Sequence, residues 1–142
     1  MKIKKILLPF DNSVHSINAA HYALNLAQQM EAQVSIVHCY EWEASIIEVP
    51  SPLLKDIEST SKKRAEDILT TAREIFNDRG VEYTAEAIYG SPARVLLEHS
   101  KSKEYDLIIM GSHGHSNISG LFLGSVTHKV LNTIYCPVLV VP

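Results

Sequence analysis

Cysteine is scarce in this chain: two among 142 residues, Cys39 and Cys136, with no CxxC pair. Two such thiols make neither a disulfide framework nor a zinc motif, a pattern expected of the reducing cytoplasm. Long hydrophobic runs are missing as well. Ile6-Leu7-Leu8 halts at Pro9, short of the roughly 7 to 15 apolar residues of a signal peptide. Nothing approaches the roughly 20 of a membrane span, so no membrane partner is expected. Nor is there an excess of positive charge. Thirteen Lys+Arg against 16 Asp+Glu leave a net −3, which gives no overall pull toward nucleic acid or anionic lipid. Aromatics are only 7%, yet 46% hydrophobic and 20% charged residues exclude a disordered tail, and the length suits one domain, residues 1–142.

What is present is alternation. Apolar runs of strand length, Ile3 to Pro9, Val34 to Tyr40, Val81 to Tyr89, Asp106 to Gly111 and Val138 to Val141, are separated by segments of helical period. Most of the runs read as buried on both faces; the third alternates and suits an edge. Ser13 to Met30 places Ile17, Ala20, Leu24 and Ala27 on one face, with Asn12 or Ser13 to cap it. A second helix is expected from about Lys55 to Arg79, with Ser61, Ala65, Ile68, Ala72 and Ile75 on its stripe and Gly80 as its stop. Ser91-Pro92 opens a third, with Val95 and Leu96 inward, and a fourth starts near Ser125 with Val126, Val130 and Leu131 inward. Glu41 to Leu54, with Trp42, Ile46, Ile47, Pro50 and Pro52, reads as a long connection, either a lid or partner contact or a stretch packed on its own domain. Lys101 to Glu104 reads as a solvated helix end.

Crossovers between parallel strands are right-handed almost without exception. The expected fold is therefore α/β, an open doubly wound five-stranded parallel sheet of order 3-2-1-4-5 with helices on both faces. Ligands of such sheets bind beyond the carboxyl ends of the strands where the chain order reverses, which sets the loop after Pro9 against the loop after Met110.

The second of those loops is the most informative segment: Met110-Gly111-Ser112-His113-Gly114-His115-Ser116-Asn117-Ile118-Ser119-Gly120-Leu121-Phe122-Leu123-Gly124-Ser125. Its glycines allow close approach to the backbone, and free amides before a helix with a capping serine attract anions, so it outlines a phosphate cradle. It is not a dinucleotide fingerprint, because His113 stands where the second glycine belongs. Nor is it an ATPase P-loop, because Gly124 rather than lysine precedes Ser125. No Gly-x-Ser-x-Gly nucleophile elbow occurs. From Tyr105 to His128 there is no Lys or Arg, so the loop lacks the cation on which phosphoryl transfer depends.

The spacing is a glycine, two residues, a glycine, nine residues, then Gly-Ser, met by Gly111, Gly114, Gly124 and Ser125. In this, in Ile6-Leu7-Leu8-Pro9-Phe10-Asp11-Asn12-Ser13 and in Cys136-Pro137-Val138-Leu139-Val140-Val141, the chain resembles the ATP-binding subgroup of the universal stress protein family from end to end. The resemblance implies that Pro9 and Asp11 lie along adenine and ribose, that the second strand contacts the base near Cys39, and that Gly111, Gly114, Gly124, Ser125 and Val126 surround the phosphates, with Met110 closing the strand below them. It further implies an ATP-dependent stress-response module, Mg²⁺ or Mn²⁺ carried on the phosphates, and a homodimer through Val138 to Val141. The expected activity is binding, with at most slow hydrolysis. Two rivals stand beside it: a slow ATPase or nucleotide-transfer enzyme using His113 or His115, and a dimeric interaction protein that binds no nucleotide. His113 and His115 read first as solvated loop residues and second as donors to phosphate, and with His128 they lack a diagnostic metal spacing. His15, His21, His38 and His99 are expected as surface or core residues, and both cysteines as small buried hydrophobes. A receiver-type phosphorylation domain is disfavoured by the lack of an acidic cluster and facing lysine at the strand ends.

Overall fold

The computed structural model describes residues 2–42, 50–116, 122–133 and 135–142. Its elements follow in the order β1 (Lys5–Pro9), α1 (Val14–Met30), β2 (Gln33–Tyr40), α2 (Ser51–Phe76), β3 (Tyr83–Tyr89), α3 (Pro92–Lys101), β4 (Leu107–Gly111), α4 (Ser125–Leu131) and β5 (Val138–Val141). The strands form one sheet of order β3-β2-β1-β4-β5, all pairs parallel, as the alternation of runs and helices predicts.

Two apolar cores sit on opposite faces. Ile6, Leu8, Val34, Ile36 and Ile109 face α1 and α2, packing on Ala20, Leu24, Leu69 and Phe76. The alternate residues Leu7, Val37, Ile108 and Met110 face α3 and α4, packing on Val95, Leu96 and Val130. This explains why the central strands read as continuous apolar runs: both pleat faces are covered. β3, at the edge, alternates half-buried with exposed residues over most of its length. At the foot of the sheet the Asp106 carboxylate accepts the backbone N–H groups of Lys4 (2.7 Å) and Lys5 (2.9 Å), which hold its carboxyl below the usual range. Among the described residues no helix is long and apolar enough to cross a membrane.

Two helix boundaries differ from the sequence reading. α2 begins at Ser51, not near Lys55, because N–H groups in the first turn have no intrahelical acceptor, so Pro52 forfeits no hydrogen bond there and starts the helix rather than prolonging the loop. It ends at Phe76, ahead of Gly80, with Asp78 and Gly80 both at positive φ in the turn that follows. The rest of the expected lid or connection, residues 43–49 with Ile46 and Ile47, lies outside the described residues, as does Asn117 to Leu121. Lys101 to Glu104 is exposed, as expected of a solvated helix end.

Candidate functional site

β1 and β4 are hydrogen-bonded neighbours, yet the chain leaves β1 for α1 on one face and leaves β4 for α4 on the other. The divergence opens a cavity of about 300 Å³ beyond the strand ends, which lies at the small end of the range for ligand pockets.

The β1–α1 side is a tight polar turn. Asn12 takes a left-handed conformation, φ 63°, which asparagine tolerates better than most residues. Asp11 Oδ1 accepts the Ser13 N–H (3.0 Å), the Asp11 N–H donates to Ser16 Oγ (3.4 Å), and Ser13 Oγ accepts the Ser16 N–H (3.2 Å) as the cap of α1. Of the two expected caps, Ser13 is the one used. Asp11 braces the turn through one oxygen and turns the other toward the glycine loop, where a Cβ on Gly114 would lie 2.8 Å from Oδ2.

Facing it, the glycine loop folds back on itself through the Gly124 N–H donating to the Ser112 carbonyl (2.8 Å). A Cβ on Gly124 would come within 3.1 Å of His113 Cα, and one on Gly111 within 2.8 Å of His15. At Gly111 two backbones meet too closely for a side chain, and at Gly124 a side chain would be tight. Thr127 Oγ1 donates to the Gly111 carbonyl (2.9 Å), which ties α4 to the end of β4. His115 spans the two loops. Its Nε2 lies 2.5 Å from the Asp11 carbonyl oxygen, which can only accept, so Nε2 carries the hydrogen.

Pro9, Asp11, Cys39, Met110, Gly111, Gly114, Gly124, Ser125 and Val126 all line this cavity. Sequence reasoning missed its remaining wall: Phe10, Val37, His38, Ser16, Thr127, and Pro92 with Leu96 of α3. The i, i+4 spacing of Pro92 and Leu96 marks one helix face, but nothing local says that face covers the cavity. Two expectations are corrected. Gly124, not Ser125, is the N-cap of α4, since the serine is already helical and exposed. His15 is no isolated surface or core residue: its Nδ1 is 3.4 Å from Ser112 Oγ and its ring centroid 5.4 Å from that of His113. His38 is buried, Nδ1 donating to the Phe10 carbonyl (2.8 Å).

Among the described residues no lysine or arginine lines the cavity, and its ionisable groups are Asp11, His38, Cys39, His113 and His115. Burial pushes the Cys39 thiol up to about 11, against a weak opposing pull from Arg94, and raises Cys136 as well. Both pack against the α3–α4 core as apolar residues. His128 is exposed on α4 beside Asn132, and among the described residues no group of three His, Cys, Asp or Glu is placed to hold a metal ion. The arrangement offers an apolar slot, a carboxylate oxygen able to accept from hydroxyls, and a loop of backbone amides and hydroxyls for an anion.

The model of the universal stress protein family matches residues 2–142. The universal stress protein YxiE of Bacillus subtilis is 37% identical, over 96% of this chain and 97% of its own length. The universal stress protein MJ0531 of Methanocaldococcus jannaschii is 30% identical, over 97% and 81%. Among solved structures, the universal stress protein UspA from Lactobacillus plantarum superposes with a TM-score of 0.86 at 24% identity, covering 100% of this chain and 99% of its own. A universal stress protein in complex with cAMP has a TM-score of 0.73 at 24% identity, over 100% and 99%. An Arabidopsis thaliana family protein with AMP bound has a TM-score of 0.66 at 17% identity, over 97% and 90%.

Proposed function

The chain belongs to the universal stress protein family, and we propose that it is a nucleotide-binding regulatory module of the cytoplasm whose ligand is ATP. One observation carries this reading: the two loops at the switch point converge on one cavity, where Gly114 faces the Asp11 carboxylate so closely that a Cβ would lie 2.8 Å from its Oδ2. The residues present fit the ligand. Val37, Cys39, Leu96 and Met110 offer an apolar wall to a base, and Asp11 Oδ2 is an acceptor for ribose hydroxyls. The backbone of His113 to Ser116 and of Ser125, which lines the cavity, suits phosphates. α4 has only seven residues, so the anion would be held by loop amides more than by a helix dipole. Relatives of this fold with cAMP and with AMP support an adenine nucleotide in general; the spaced glycine motif supports ATP in particular. Mg²⁺ or Mn²⁺ would arrive on the phosphates.

The lack of lysine or arginine among the described residues lining the cavity favours binding over turnover. Backbone amides can hold ground-state phosphates without stabilising the charge that develops in transfer. The output is then a nucleotide-dependent shape, presented by a homodimer joined through β5.

Mass analysis of freshly purified protein should find retained adenine nucleotide, and calorimetric titration with ATP and Mg²⁺ should register binding. Gly114→Ala pushes its Cβ onto the Asp11 carboxylate, which must shift and loosen its hold on the Ser13 N–H. It should therefore weaken ATP by about tenfold or more, roughly 1.4 kcal/mol, with a smaller loss of thermal stability. Asp11→Asn should weaken ATP similarly if the carboxylate holds ribose. Unchanged affinity in both variants would remove ATP from this cavity.

A further inference from the structure

The phosphate end of the cavity holds three imidazoles where related chemistry would use lysine or arginine. His113 and His115 line it directly, and His15, from the first turn of α1, stands behind His113. Ser112 Oγ lies between His15 Nδ1 (3.4 Å) and His113 Nδ1 (3.1 Å). A hydroxyl has one hydrogen and two lone pairs, so it can donate to one Nδ1 while accepting from the other, or accept from both once both rings are protonated. The two rings therefore share a partner that suits every protonation state. With centroids 5.4 Å apart, two positive rings would repel each other, and an anion beside them offsets that repulsion. His115 keeps its Nε2–H on the Asp11 carbonyl when charged, because protonation adds its hydrogen at Nδ1. Charging the cluster leaves the tie between the loops intact.

The other ionisable groups around the cluster do not supply this charge. The β1–α1 turn brings the Asp11 carboxylate, whose negative charge favours protonated neighbours, and β2 brings His38 and Cys39. From α3 the cation is Arg94, outside the lining and paired with Glu98 at 2.9 Å. α4 contributes Ser125, Val126 and Thr127, none of them ionisable near neutral pH.

We propose that His15, His113 and His115 read the length and charge of the phosphate chain, so that the preference for ATP over AMP strengthens as pH falls. This rests on the nucleotide reading above. The longer, more negative chain gains more from protonated imidazoles than the shorter one does.

The test is calorimetric titration of ATP, AMP and adenosine, with Mg²⁺, at pH 5.8 and 8.0, on the wild type and on His15→Gln/His113→Gln, which retains His115 and its tie. The nucleotides themselves take up protons in this range, so the readout is the change in ATP-to-AMP affinity ratio in the wild type relative to the variant. That change should be about tenfold in favour of ATP at the lower pH, the size of one partly screened charge pair. Adenosine should respond equally in both proteins. NMR of the wild-type imidazoles supplies a measurement that does not depend on the variant folding: by linkage, ATP should move their titration to higher pH and adenosine should not. Equal pH profiles in both proteins, or imidazole titrations that ignore ATP, overturn the inference and leave nucleotide binding standing. Failure of all three ligands to bind at either pH overturns both.

Discussion

Cys39 shows how burial at one residue tells on the state of a site. Its side chain packs between α3 and the sheet, and desolvation disfavours the thiolate, pushing the thiol up to about 11. At pH 8 a thiol of that kind is about one part in a thousand thiolate, against about a quarter for a free thiol near 8.5. The greater intrinsic nucleophilicity of the rarer thiolate returns part of the loss, so alkylation should run roughly twentyfold slower than for a small free thiol. Iodoacetamide labelling in a Cys136→Ser background, followed by mass spectrometry, measures this. The rate should climb as pH rises toward 11 and fall further when ATP fills the cavity that Cys39 lines. Labelling at the free-thiol rate would mean that the wall opens readily to solvent and is no fixed slot for a base.

At the scale of elements, the decisive contact is between the end of β4 and the start of α1. A Cβ on Gly111 would lie 2.8 Å from the carbonyl carbon and Cβ of His15 and 3.0 Å from the Ser16 nitrogen. Those atoms cannot swing aside, because the Ser13 cap and the Asp11 turn fix the first turn of α1. Gly111→Ala must therefore displace a helix or a strand, at about 1 to 3 kcal/mol. Thermal denaturation should show the midpoint lowered by roughly 2 to 4 °C for each kcal/mol. An unchanged midpoint would show that the two elements are not packed as closely as described. The same contact marks the limit of what could be read in advance. Strand runs, helical stripes and the right-handed crossover rule were enough for the order β3-β2-β1-β4-β5, because each unit is local and its handedness is general. The glycine spacing and the switch-point rule likewise brought Pro9, Asp11 and Gly114 together. His15 escaped because its partner Ser112 is 97 residues away, and no periodicity within a helix reports what crosses its end. The start of α2 escaped for a different reason: two prolines near Ser51 look like loop punctuation unless one of them occupies the first turn.

On the scale of the whole molecule, what distinguishes β5 is that it pairs on one side only, with β4, leaving its other edge without a partner among the described residues. An apolar edge of this kind invites a second strand, and two copies related by a two-fold axis satisfy it for both at once. The strand's residues do not contribute equally. Leu139 and Val141 pack into the core under α1 and α2, and Val138 into that under α3 and α4; Val140 is half-buried and belongs to neither among the described residues. Removing the last five residues would take Val141 out of the core and would confuse loss of pairing with loss of folding. Val140→Lys avoids this, placing a charge in the strand at its least committed position. Analytical ultracentrifugation should find a dimer for the wild type and a monomer for the variant, with far-UV circular dichroism unchanged and the melting midpoint shifted only slightly. The loop would feel the same interface, since the Ser112 N–H donates to the Val141 carbonyl at 2.7 Å and so anchors the glycine segment to the end of β5. A Val140→Lys protein that remains a stable dimer would move the interface away from this edge, and the glycine loop would then answer to its own subunit alone.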